Sequence, residues 1–300
     1  MWFKNALFYQ FTQAFEYDQE ALNQALNEFV FQPCGKTELQ SFGWTASLAE
    51  GTHNLAHQSA DFFLLALKKQ EKVLPAAVIR EQVEEKCKQI EIAEGRKVKG
   101  KEKQNIKEDL VHALLPQAFV KSSITRAYID KKAGWIVVEA SSSSKAEELL
   151  AFLRKTLGSL PIIPLEIESP VMLTLNDWVR GNEPNDFVLG TEAEFKEMGD
   201  EEGTIRCKNV DLESDEIQAH LDNGKHVTKL ALDWDESISC VLQEDLTIKR
   251  IKFSDELKEQ NEDITVDDKL ARLDADFILM SAEITRFIER LKVLLSPAAQ

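Results

Sequence analysis

The chain has 300 residues, with 36 Lys and Arg against 52 Asp and Glu, a formal net charge of −16 and 43% hydrophobic residues. That length and apolar content exclude collagen-like, disordered and disulfide-scaffold classes and allow one large domain or two to three smaller ones. Cys34, Cys87, Cys207 and Cys240 stand far apart, the N-terminal MWFKNALFYQF lacks a basic region and cleavage site, and no apolar run reaches membrane-spanning length. These features predict a cytoplasmic protein with no membrane segment.

Residues 3–11 alternate as a strand does, and Asp18 caps a helix with Ala21, Leu22, Ala25, Leu26 and Phe29 on one face. A turn is predicted at FGW (42–44), and DFFLLAL (61–67) reads as a central strand. After Pro75, Ile79, Val83, Cys87 and Ile90, then the turn GRKVKG, then Ile106, Leu110 and Leu114 describe a helical hairpin over 76–115, ended by Pro116. ITRAYID and WIVVEAS form a β-hairpin, followed by the helix KAEELLAFLRKTLG with Gly158 at its end and by an edge strand in PIIPLEI. TLNDWVRG reads as a short helix capped by Thr174, EPNDFVLG and GDEEGT as loops, and SDEIQAHLDNG as a capped helix. VTKLALDW, SISCVLQ and LTIKRIKF make a meander. From Val266 a long helix places Leu270, Leu273, Phe277, Met280, Ile284, Phe287 and Leu291 on one stripe.

The order of elements has no βαβ rhythm, so the expected class is α+β with mixed, largely antiparallel sheets and a projecting helical hairpin. The domain expectation is a central α+β domain from 1–75 and 117–182, a hairpin tip at 76–116, and an acidic α+β domain at 183–300. Charge supports that last boundary: residues 183–300 hold 14 basic and 29 acidic side chains, net −15. Lys68 to Lys107, by contrast, holds twelve Lys and Arg against seven Glu. In an acidic chain, a polyanion can be held only if cations gather on one surface while the acids face elsewhere.

Motifs for catalysis fail on inspection. Gly35-Lys36-Thr37 resembles the end of a P-loop, but Val30 stands where that loop needs its first glycine. His53 and His57 have helical metal-ligand spacing without the glutamate base of a zinc protease, and His112, His220 and His226 have no ligand-like neighbours. Asp233/Asp235 and Asp274/Asp276 are the carboxylate pairs, the latter about 200° apart on a helix. The run of Ser141 to Ser144 lacks a nucleophile elbow and serves as a helix-capping linker. No catalytic residue, metal or cofactor is expected.

The segments WFKNALFYQF, FQPCG, Gly43-Trp44, EKVLPAAVI, GRKVKGKEK, LLPQAF, LRKTLGSLPIIPL, LTLNDWVR, VTKLALDW, RIKFSDELKEQNEDI and DADFILMSAEI, in this order along nearly the whole chain, resemble the bacterial recombination-associated RdgC family. The resemblance implies a ring-shaped homodimer, closed by two contacts, whose basic-lined hole holds double- and single-stranded DNA without reading sequence. It also implies a nucleoid-associated protein that limits the recombinase RecA by binding rather than turnover, with no nucleotide cofactor.

Residue by residue, the resemblance implies that Phe119 of LLPQAF serves ring closure and DNA engagement. Gln117 stands where family members can carry arginine, and Lys121 is the substitute cation. Lys208 and Lys225 match basic family positions, whereas Asn209 and Val210 depart from them; Lys72 and Lys229 complete the DNA-binding candidates. The stripes Ile79/Val83/Ile90 and Ile106/Leu110/Leu114, with Phe119, are candidates for one dimer contact, although the same stripes could only hold the hairpin's own helices together. A sheet edge in the C-terminal half is the candidate for the other. The alternative function is an acidic factor that binds the recombinase directly as a nucleic-acid mimic.

Overall fold

Strand β1 (Asn5–Phe11) leads to helix α1 (Gln19–Asn27), whose cap is Asp18: its carboxylate accepts from the Ala21 amide at 2.8 Å. The computed structural model describes residues 1–49, 51–52, 54–167, 169–199, 203–261 and 269–295. The sequence FGW is not a turn but the end of strand β2 (Gln40–Trp44). Gly43 is there because residues 30–31 cross directly over it, and a side chain would collide with the Phe31 backbone. Short β3 (His57–Ser59) and long β4 (Phe62–Val73) follow, so the buried run DFFLLAL is half of a twelve-residue strand.

Helices α2 (Ala76–Glu94) and α3 (Gly100–Leu114) form the expected hairpin. Gly95 ends α2 with φ +66, the left-handed conformation that a helix stop needs and that glycine adopts without strain. The chain returns through β5 (Phe119–Asp130), paired with β4 along its entire length from Phe62↔Asp130 to Val73↔Phe119, so the hairpin stands at the end of the β4–β5 pair, which β2 flanks as far as Glu71. β6 (Trp135–Val138), α4 (Ser143–Leu157) and β7 (Ile162–Pro164) complete the first half.

Helix α5 (Val171–Asp177) begins right after Pro170, so Thr174 lies inside it and is not its cap. Proline supplies the fixed φ that favours a helix start, and the earlier start buries Val171 and Leu175. The segment read as a loop at EPNDFVLG enters β8 (Phe187–Glu197), which pairs with β9 (Thr204–Lys208). Its apolar residues are sparse, since Glu192, Glu194 and Lys196 alternate with Ala193 and Phe195, and that alternation is what a one-sided strand looks like. Helix α6 (Asp215–Asp222) precedes the meander β10 (Lys225–Trp234), β11 (Ile238–Gln243) and β12 (Ile248–Phe253), then α7 (Asp255–Glu259) and α8 (Lys269–Leu295). Val266 lies outside the described residues. On α8, Phe277, Met280, Ile284, Phe287 and Leu291 are buried, while Leu270 is exposed because the first turn lies beyond the core.

Among the described residues the twelve strands join one antiparallel sheet in the order β2-β4-β5-β6-β1-β12-β11-β10-β8-β9, with β3 beside β4 and β7 beside β1. Ala6↔Ile248 and Asn5↔Lys249 join the two halves, so one pleat runs through both. The fold is therefore α+β, with a large antiparallel sheet. One face packs against α5, α6 and α8 through residues such as Phe8, Leu64, Tyr128, Leu230 and Trp234. Among the described residues the opposite face is covered only in the N-terminal half, where α1 and α4 pack on Leu7, Tyr9, Phe63, Leu65, Ile129 and Val138.

Candidate nucleic-acid interface

The uncovered half of that second face carries the cations. Pairing of β8 with β9 sets Glu192 opposite Lys208 and Glu194 opposite Arg206; β10 sets Lys229 opposite both Glu194 and Gln243; and β11 sets Val241 opposite Lys249. Because directly opposite residues share a side, these groups lie on one face, away from the buried Ala193, Phe195, Leu230 and Leu242. Register shifts between Val227 and Lys229, between Leu230 and Leu232, and between Ser239 and Val241 add bulges that increase the sheet's twist. Arg250 sits in one of them with φ 54, and this breaks the alternation so that it faces the same way as Lys249.

The outcome is an open concavity lined by Arg206, Lys208, Lys229, Lys249 and Arg250, five cations against the two carboxylates Glu192 and Glu194, net +3 in a chain of −16. Arg250 reaches across β11 and β10 to grip Glu192 with both terminal nitrogens, at 2.5 and 3.3 Å. Glu194 is held between Lys229 at 2.7 Å and Arg206 at 2.8 Å. The Arg250 hydrogen bonds push the Glu192 carboxyl below its ordinary range. For Glu194 burial pushes upward, but Lys229 and Arg206 outweigh it and the carboxyl is also lowered. Asp233, paired with Ser239, marks the acidic end of the face.

The described acids of the C-terminal half otherwise concentrate elsewhere: Asp215, Glu216 and Asp222 on α6, Asp255, Glu256 and Glu259 on α7, and Asp274, Asp276, Glu283 and Glu289 on α8. Helix α6 has three acids and no Lys or Arg, and α7 has three against Lys258, whereas α8 offsets its four acids with Lys269, Arg272, Arg286, Arg290 and Lys292, so the acidic excess of these helices lies on α6 and α7. A net-acidic binder of polyanions requires cations gathered on one surface, and the concavity gathers five.

The sequence candidates divide between faces. Lys208 and Lys229 lie in the concavity. Phe119 and Lys121, opposite Val73 and Glu71 on the arm, share its pleat face; Phe119 is 86% exposed and Lys121 lies 3.9 Å from Glu71. Lys72, opposite Val120, belongs to the other pleat face. So does Lys225, whose alternation is that of buried Val227 and whose ammonium bonds Glu197 at 2.9 Å. Arg206, Lys249 and Arg250 were not singled out from sequence. The alternation in IKRIKF carried a signal for Lys249, but Arg250 depends on the bulge, and Arg206 depends on a strand partner read as a loop.

In the hairpin Val83 is buried, whereas Ile79, Ile90, Ile106, Leu110 and Leu114 are half-buried. A cleft between the helices is lined by Leu74, Ile79, Val83, Lys103 and Lys107. Of the rejected catalytic groups, His57 lies on a strand and bonds Asp274 at 2.6 Å, and His53 lies outside the described residues. Asp276 instead takes the Met1 ammonium at 3.0 Å, so the two aspartates diverge. Among the described residues there is no group of three or more His, Cys, Asp or Glu placed to hold a metal, and no helix is long and apolar enough to cross a membrane.

A family model described as "Putative exonuclease, RdgC" matches residues 1–297. The chain is 46% identical over 292 residues to the recombination-associated protein RdgC of Tolumonas auensis, covering 97% of both chains. It is 47% identical to the proteins of the same name from Pseudoalteromonas translucida, over 97% of this chain and 96% of that one, and Colwellia psychrerythraea, over 96% and 94%. The relatives are thus named for recombination and the family model for a nuclease, and the matches span both halves of the sheet and the hairpin between them. The chain belongs to the RdgC family of recombination-associated proteins.

Proposed function

We propose that the protein binds double- and single-stranded DNA without sequence preference, as a homodimer closed into a ring, and thereby limits RecA-dependent recombination. The observation that carries this reading is the bare, concave sheet face with its five cations against two carboxylates in a chain of net charge −16. Lysine and arginine on a smooth sheet surface meet backbone phosphates, release condensed counterions and read no base edges, so affinity is sequence-tolerant and strongly salt-dependent. DNA occupied in this way is unavailable to a recombinase filament, and no turnover is needed.

In this reading residues 76–116 act as the tip that meets a second copy, through the half-buried stripes and Phe119. Residues 1–75 with 117–182 form the central body, and 183–300 supply the principal phosphate surface. Lys208 and Lys229 act from the concavity, Lys121 and Phe119 from the arm, and Lys72 and Lys225 from the rims of the opposite face. A nucleoid-associated location follows from the same binding.

The experiment is solution mass together with affinity for unrelated duplexes at 50 and 200 mM salt. With six or more phosphate contacts, affinity falls at least about a thousandfold across that range. A dimer with that slope, equal affinity for all duplexes, and RecA activity suppressed in proportion to DNA coverage is the expected result. A monomer that ignores duplex at low salt overturns the proposal and favours direct capture of the recombinase by the acidic surface. DNA degradation with magnesium favours the nuclease named by the family model.

A further inference from the structure

The carboxylates of the basic concavity are recessed and their cations are not. Glu194 is 8% exposed while its partner Arg206 is 72% exposed, and Glu192 is 30% exposed while Arg250 is 56% exposed. A carboxylate that grips both terminal nitrogens of Arg250 occupies the fork that would otherwise present two donors to a phosphate. Glu194 likewise engages Lys229 and Arg206 together, and its other oxygen contacts include the Thr228 hydroxyl. By contrast, Lys208 and Lys249 make no ion pair within 4 Å among the described residues, Lys208 acting on Glu192 only through space, although both line the same surface.

We propose that Glu192 and Glu194 are internal counterions of the DNA face, and that backbone phosphates displace them from Arg250, Arg206 and Lys229 when DNA binds. The inference rests on the reading of this face as the phosphate surface and adds how it is regulated. Lys208 and Lys249 make the first contacts because no carboxylate holds their ammonium groups by a hydrogen bond among the described residues. The long, exposed arginine and lysine heads then turn from the recessed carboxylates to the strand above by side-chain rotation alone. Each such exchange gives up one intramolecular ion pair for one intermolecular ion pair and leaves a carboxylate that recruits a solvent cation. The counterions released from DNA are partly offset, so the contact strengthens affinity less and steepens the salt response less than a free lysine does. The two glutamates hold the protein to a grip that can be released along a sequence-neutral track.

The test measures duplex affinity of the full-length protein across a salt series for E192Q, E194Q, the double substitution, the exposed-surface control E20Q on α1, and K208A/K249A. Glutamine keeps the size and hydrogen-bonding oxygen of the recessed side chain, and the partly exposed Glu192 gives a variant whose folding is not in question. The expected result is tighter binding for E192Q and E194Q, with log K against log salt steeper by about 0.9 for each cation set free, and no change for E20Q. If K208A/K249A weakens binding but the glutamine variants match wild type or change only as much as E20Q, the counterion role is overturned and the DNA face stands. If K208A/K249A leaves binding unchanged, the face itself is misassigned and both readings fall.

Discussion

One face of a single sheet behaves in two ways. In the N-terminal half α1 and α4 cover it, and strands such as WIVV and FFLLAL are buried on both sides. In the C-terminal half nothing among the described residues covers it, and the strands alternate a buried apolar residue with a polar or charged one, as in β10 and β12. The same pleat, continuous through Asn5↔Lys249, is thus core on one side of the junction and bare, charged surface on the other. A sheet needs only one covered face to be stable, which leaves the second available for recognition.

The covered and bare halves of the face should differ most in what a substitution costs in stability. Phe63→Ala empties a site 1% exposed between the sheet and its N-terminal cover, and it should cost about 3–5 kcal/mol in urea denaturation. Gln243→Ala, on the bare face, should stay within about 0.5 kcal/mol. Equal losses at the two sites would mean that the C-terminal face is packed against something. Next in size, Ile79→Asp with Leu110→Asp places charge on the half-buried hairpin stripes and should weaken the proposed dimer at least about tenfold, roughly 1.4 kcal/mol, in sedimentation at several concentrations. A body whose melting is unchanged alongside that loss separates a docking role from one confined to the hairpin.

The smallest effect concerns the clip that holds α8 beneath the bare half. Asp186 accepts from Arg290 at 2.7 and 2.8 Å and from the Trp234 indole at 3.1 Å, and the arginine lowers its pKa to about 2. Because the folded value lies below the unfolded one, the stabilisation is present above about pH 4 and is lost as pH falls towards 2. The pair is partly exposed, so Asp186→Asn should cost less than about 1 kcal/mol at neutral pH. It should also flatten the stability profile between those limits. An unchanged profile would show that solvent already screens the clip.

What the sequence disclosed follows the same division. Continuous apolar runs and a regular hairpin stripe were legible because burial on both faces, or helical period, leaves an unambiguous pattern. Strand β8 was missed because a one-sided strand rich in glutamate resembles a loop, and with it went the partner that orients Arg206 and Lys208. Lys208 and Lys229 came from family likeness and local charge, but their neighbours Lys249 and Arg250 are brought to them by pairing through β11 and by a bulge at a positive φ. Register and bulges are properties of two strands together, and a single strand's sequence does not state them.

If the uncovered C-terminal face holds DNA through backbone phosphates, the salt dependence of duplex binding by K208A/K249A beside wild type reports it with the fewest intervening steps. Both lysines line the concavity without an ion pair within 4 Å among the described residues, and Glu192, which feels Lys208 through space, keeps its bonds to Arg250, so their removal strands no buried carboxylate. The predicted result is weaker binding to every sequence alike and a log K against log salt slope shallower by about 1.8, with unfolding unchanged. An unaltered slope and affinity in a folded double variant would contradict the account.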